Sequence, residues 1–181
     1  MPHAFAQINY LLYELNLIVN RRKWRWITCW FGGSAGVLAS YRIDRFFYLL
    51  VGEWWALGRL LLFPFFVLLK LMSASHEINY KADIGKGLKI LHPTLGIVIT
   101  GYAIIGNHLT LVGGNCIGQR KALERGDLVL GDSVTLGANA VVLGPVRVGN
   151  NVTVGANAVV VQDADDNSVL IGVAARPLEK Q

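Results

Sequence analysis

From Leu130 to Val161 aliphatic residues return every six positions: Leu130, Leu136, Val142, Val148, Val154 and Val160, each followed by Gly or a further aliphatic residue. A smaller residue follows each opener by four positions, at Val134, Ala140, Val146, Val152, Ala158 and Ala164. An α-helix repeats near 3.6 residues and a strand every two, so neither element alone gives this step. A six-residue step predicts a parallel β-helix, in which short strands stack coil on coil around one aliphatic column. The same step starts earlier, at Ile78, Ile84 and Ile90, slips around Pro93–Gly96, and resumes at Ile99, Ile105, Leu111 and Ile117. Residues 119–127 break it with polar and charged side chains, which predicts a loop expelled from the core on one face. At three hexads per coil the pattern holds about four coils.

Upstream the pattern changes. Apolar residues at three-to-four spacing predict helices over 5–20 and 43–72, with a turn at Gly32-Gly33-Ser34. The chain therefore divides into a helical, apolar segment (1–75), a β-helix (76–167) and a short tail (168–181). Four coils bury little surface and leave open ends, so the helices are a natural cap and side-by-side association a natural supplement.

Charge separates the same two regions. The formal net charge is +5, and residues 1–76 hold eight basic and three acidic side chains while 77–181 hold nine of each. Hydrophobic residues make up 53% of the chain, high for a soluble protein. The apolar run Leu60–Leu69 is bracketed by Arg59 and Lys70 and interrupted by Pro64, too short for a spanning helix of about 20 residues. Five Trp among Arg and Lys suit a membrane interface, or packing between subunits. The first twenty residues lack the basic and apolar regions of a secretory signal, which predicts a cytoplasmic protein, with peripheral contact at the inner face of the membrane as an extension. Cys29 and Cys116 form no CxxC pair, and the Arg21–Trp26 cluster comes with no nucleic-acid motif.

Between His76 and Pro177 stand Glu77-Ile78, Ile84-Gly85-Lys86-Gly87, His92 followed by Gly96-Ile97-Val98-Ile99, Leu136–Ala140, Val148–Val152, Val154–Val160 and the closing Gly172–Pro177. With these the segment resembles the hexapeptide-repeat acyltransferases, and more narrowly serine acetyltransferases and the O-acetyltransferases of colanic acid and exopolysaccharide synthesis. The resemblance implies a mainly β fold, a left-handed parallel β-helix with an N-terminal α-helical segment, and three subunits around a threefold axis. It implies His92 as general base and Glu77, fifteen positions earlier, as the acid that orients it across stacked coils. Acetyl transfer from a thioester to an alcohol needs the hydroxyl proton removed as oxygen attacks, a task suited to a near-neutral imidazole with a carboxylate on its other nitrogen. By the same resemblance the pantetheine arm of acetyl-CoA runs near Gly118, Ala138, Gly155 and Ala156, with Arg176 near its nucleotide end. The 119–127 loop then lies over the acceptor, with Arg120, Arg125 and Asp127 as acceptor-binding candidates and Lys121 beside them.

Serine acetyltransferases carry a second His after this loop, yet none occurs here after His108. That and the shorter Trp-rich N-terminal segment point toward a sugar hydroxyl, on a saccharide free or lipid-linked, with serine as the alternative acceptor. A non-catalytic β-helix remains open. So does a zinc site on His76, His92 and His108, each sixteen apart, although no metal is expected because this step drifts against an eighteen-residue coil. His108 reads as a turn residue and Cys116 as a thiol in a turn or facing the core. Asn139, Asn151 and Asn157 read as solenoid turns, where Asn tolerates left-handed angles.

Overall fold

The computed structural model describes residues 2–19, 33–64, 67 and 76–172. Two antiparallel-paired helices open the chain, α1 (Pro2–Val19) and α2 (Ser34–Val51), followed by a 3-10 turn (Gly52–Trp54) and α3 (Trp55–Leu61). The second helix starts nine residues before the position its apolar spacing predicts. Gly33 adopts a left-handed conformation (φ 76°) at the head of the helix, and Ala35, Val37 and Leu38 then bury against the rest of the chain. The expected continuous helix also breaks at Gly52, again at positive φ (64°). Residues 20–32, including the Arg21–Trp26 cluster, and most of the Leu60–Met72 run beyond Pro64 lie outside the described residues.

The hexads fold as predicted, into short strands on three parallel sheets. The first sheet stacks β1 (His76–Ile78), β4 (Ile97–Ile99), β7 (Asn115–Gln119), β10 (Val141–Gly144) and β13 (Val159–Val160). The second stacks β2 (Asp83–Ile84), β5 (Ile104–Ile105), β8 (Leu128–Leu130) and β11 (Val146–Val148). The third stacks β3 (Lys89–Ile90), β6 (Thr110–Leu111), β9 (Thr135–Leu136), β12 (Thr153–Val154) and β14 (Val169–Leu170). The fold is thus a mainly β, parallel solenoid of about four turns. Ile84, Ile90, Ile99, Ile105, Leu111, Ile117, Leu130, Leu136, Val142, Val148, Val154 and Val160 all point inward and are buried. Corners are turned at left-handed His108, Ser133, Asn139, Asn151, Asn157 and Asn167 (φ 55–62°), short polar residues that bear this conformation more readily than branched ones. The expected turn roles of His108, Asn139, Asn151 and Asn157 hold.

The ladder register measures each coil. Ile97 stands on Asn115 and Val141 on Val159, steps of 18, whereas His76 stands on Ile97, a step of 21. The three extra residues are the 3-10 turn Pro93–Leu95, the predicted slip. Cys116 stands on Val141, a step of 25, because residues 120–127 leave the coil between β7 and β8. That excursion is not wholly expelled. Leu123 turns back to bury against Gly144 and Leu128.

A buried polar network fixes the helices to the first coil. Arg42 of α2 is 1% exposed, with Nε and Nη2 donating to the Glu14 carboxylate of α1 (3.1 and 2.5 Å) and Nη1 to Gln7 (2.8 Å). Its Nη1 and Nη2 also donate to the carbonyls of Ile84 and Gly85 (2.8 and 2.6 Å). Glu14 in turn accepts from the N–H groups of Gly87 and Leu88 (3.1 and 2.9 Å). Beside it the Tyr41 hydroxyl donates to Ala82 O (2.9 Å), and burial pushes its pKa up to about 12. Such a fully paired ion pair gives direction and register rather than large net stability, but losing one partner strands a buried charge.

Candidate active site

The extra turn in the first coil is what brings His92 to the surface. His92 follows β3 and donates its N–H to Val112 O (2.9 Å), which holds it on the second coil's ladder. The chain then bulges through Pro93–Leu95 before re-entering at β4, and the His92 side chain stands exposed. Directly beneath lies Gly113, at φ 141°, where a Cβ would stand 2.5 Å from the His92 carbonyl oxygen and 3.2 Å from its Cβ. Only glycine fits that approach.

The third sheet's register continues into this corner. Ile90, Leu111, Leu136, Val154 and Leu170 stack in order, so the residues two positions on, His92, Gly113, Ala138, Ala156 and Gly172, form one column. Below the imidazole that column carries nothing larger than a methyl group, a ledge along which a thin chain can approach the backbone. Ala138, Gly155 and Ala156, expected near pantetheine, lie on or beside it. Gly118 does not: it sits on β7 opposite Leu143 in the first sheet. Arg176 lies outside the described residues.

Glu77 is the exposed middle residue of β1, heading the outward ladder Glu77, Val98, Cys116, Val141, Val159. It therefore stacks on Val98 rather than on His92. The two belong to one coil, at the ends of a circuit through all three sheets, which corrects the expectation of stacked coils. The reason is the 21-residue length of that coil. Neither side chain has a hydrogen-bond partner among the described residues. A hollow of about 330 Å³ lies beside Glu77, lined also by Leu95, Val98, Gly114 and Cys116, and the Leu95 N–H donates to His92 O (3.3 Å).

Cys116 is neither in a turn nor core-facing, as its sequence position suggested. It lies half-buried on the outer face of β7, because the inward places there go to Asn115 and Ile117, and burial pushes its thiol pKa up. Asn115 was missed in the sequence. It is 2% exposed, accepts Gly113 N–H at Oδ1 (2.9 Å), and donates Nδ2 to Gly137 O (2.7 Å) and Ala140 O (3.3 Å). It thus braces the glycine turn under His92 against the next coil. The available signal was a polar residue in an aliphatic column, since Asn115 stands where Ile97 stands one coil above.

The remaining candidates are spread. Arg125 pairs with Asp83 of the second sheet (3.1 Å), Asp127 accepts Glu124 N–H (2.9 Å) within its own loop, and Arg120 is exposed. His76 bonds Ser40 (2.8 Å) and His108 packs edge-on to Tyr13, so the three evenly spaced His occupy different parts of the coil. Among the described residues no three His, Cys, Asp or Glu converge on a common point.

A parallel solenoid of six-residue units with a histidine above a ledge of small residues defines a class, the hexapeptide transferases. Residues 127–162 match the family described as bacterial transferase hexapeptide (six repeats). The putative colanic acid biosynthesis acetyltransferase WcaB of Escherichia coli K12 is 36% identical over 116 residues, 62% of this chain and 71% of that one. The chain belongs to the hexapeptide transferase family and is an acetyltransferase. The probable serine acetyltransferase 1 of Oryza sativa is 39% identical over 109 residues, covering 56% of this chain and 34% of that one. Among solved structures, the serine acetyltransferase of Neisseria gonorrhoeae superposes with a TM-score of 0.70 at 26% identity, covering 97% of this chain and 66% of that one. The chain thus spans just under two thirds of that enzyme's length and about a third of the rice protein's.

Proposed function

We propose that this acetyltransferase carries acetyl from acetyl-CoA to a sugar hydroxyl during synthesis of a surface polysaccharide. His92 takes the hydroxyl proton as the oxygen attacks the thioester carbonyl; the C–S bond then breaks and the imidazolium returns the proton to the departing thiolate. Glu77 orients the imidazole, closing on it when substrates are bound, since such hydrogen bonds often tighten only in the complex. The observation that carries the reading is the exposed His92 above the Gly113–Ala138–Ala156 ledge, with Glu77 on the same coil. The ledge suits the pantetheine arm, with Arg176 toward the nucleotide. Arg120, Arg125 and Asp127 lie on the excursion that would face the acceptor. The outward aliphatic ladder Val98, Val141, Val159 suits packing of three subunits side by side in the cytoplasm, with residues 1–75 as cap and 76–167 as catalytic solenoid, to which β14 (Val169–Leu170) of the 168–181 segment adds the last strand of the third sheet.

The likeness to a chain named for colanic acid biosynthesis supports a saccharide acceptor. Serine is the second reading, favoured by the match to the gonococcal enzyme in complex with serine (TM-score 0.70, 28% identity). CoA release from acetyl-CoA, measured with lipid-linked saccharide extract and separately with serine, decides between them. Release with saccharide alone supports the proposal; brisk release with serine overturns it.

A further inference from the structure

The helical cap turns a broad apolar surface to solvent. Trp54 is 75% exposed and Leu61 83%, with Leu57, Leu60 and Phe63 beside them. A train of ring contacts through the buried Trp55 ties α3 to α2 and α1: Trp55 stacks on Phe47 (4.7 Å), Phe47 meets Phe46 (5.2 Å), and Phe46 meets Phe5 (5.8 Å). Between the two helices lies an apolar groove of about 230 Å³, flanked by the exposed Ile8 and Phe47. An exposed apolar face of this kind marks an interaction site.

Charge selects the partner. All three acidic side chains of residues 1–76 have basic partners: Glu14 with Arg42, Asp44 with Arg59 (3.4 Å) and Glu53 with Lys81 (2.7 Å). Arg45 pairs with Asp83 (3.1 Å). The surplus positive charge of the region therefore falls on Arg21, Arg22, Lys23, Arg25 and Lys70, which flank these helices in sequence. A second copy of the chain carries the same positive surplus, whereas an anionic surface would neutralise it. Among the described residues no helix is long and apolar enough to cross a membrane.

We propose that the apolar face of α1 and α3 docks the protein on an anionic lipid surface, lying on the bilayer rather than spanning it. The contact also sets the catalytic coil against that surface. Arg59 of α3 covers the Tyr80 ring (5.0 Å) and Glu53 holds Lys81, both just past β1, the strand that carries Glu77. The inference goes beyond the proposed reaction and does not depend on which hydroxyl is acetylated.

The test is co-sedimentation of the full chain with vesicles of phosphatidylcholine alone and of phosphatidylcholine with about one third phosphatidylglycerol. Wild type is expected to sediment with the anionic vesicles and at least about tenfold less with the neutral ones. The double variant Leu60→Ser/Leu61→Ser, both side chains being exposed, is expected to lose about tenfold or more in binding with an unchanged melting temperature. Phe5→Ser/Leu12→Ser on α1 should weaken it in the same direction. Absence of wild type from both pellets overturns the proposal, as does equal binding to both compositions. So does a larger assembly in solution that Leu60→Ser/Leu61→Ser dissociates, which would give the face to a second copy. CoA release with a water-soluble saccharide, run without vesicles, reports on the proposed reaction separately.

Discussion

The coils below residue 128 and the coils above it are built from the same hexads, yet only the upper ones carry candidate chemistry. Below, strands step by 18, shortening only at the last, where Thr153 stands on Val169, a step of 16. Above, one coil is lengthened by the 3-10 turn, Gly113-Gly114 replaces Ala138-Asn139 at the corner, and Asn115 replaces an aliphatic residue inside. A regular solenoid presents the same shallow face at every level, so a distinct site needs a place where the repeat fails. His92 stands at such a place, and the ordinary coils beneath it supply a smooth ledge.

The contrast can be strained from the top first. Arg42→Ala leaves the Glu14 carboxylate buried without its cation, and should lower unfolding free energy by about 3–5 kcal/mol in a denaturant melt. The matched pair Arg42→Met/Glu14→Leu should recover most of that loss. In the regular coils Leu136→Ala opens a cavity in the column and should cost about 2–5 kcal/mol, with little effect on the activity that survives at low temperature. Gly113→Ala should cost less stability, about 1–3 kcal/mol, yet it forces a Cβ against the His92 carbonyl and should depress acetyl transfer disproportionately. Equal loss of activity in Leu136→Ala and Gly113→Ala would erase the distinction between the two regions.

The smallest effect is expected at the far end. Asp166 accepts from the backbone and side chain of Asn150, which hold its carboxyl below the usual range. A carboxylate whose folded pKa is depressed contributes stability above its unfolded pKa of about 3.9, and that contribution fades as pH falls through the folded value. Melting temperatures taken downward from pH 5 should therefore fall slightly more steeply for wild type than for Asp166→Asn, with no change in the pH dependence of acetyl transfer.

How far the sequence could be read follows the same division. The aliphatic column from Leu130 to Val160, the left-handed Asn corners and the slip at Pro93–Gly96 were all legible, because each follows from a period of six or from turn chemistry. The start of α2 was not, since Gly33 and the burial of Val37 and Leu38 override a pattern that is apolar nearly all round. Asn115 was legible only as an anomaly; its use depends on which carbonyls the next coil brings near. Glu77 and His92 stood out by resemblance, but their placement on one coil depends on a length of 21 residues that a slip in register alone does not fix. The buried Arg42–Glu14 pair could not be foreseen, because charges 28 residues apart on two helices give no local signal.

The most direct test of the account is the rate of CoA release by wild type and His92→Ala, beside their thermal melts. The account predicts a loss of about 10²–10⁴-fold at unchanged melting temperature, since His92 is exposed and contributes chemistry rather than packing. Activity within a few-fold of wild type would contradict it and move the chemistry away from the irregular coil.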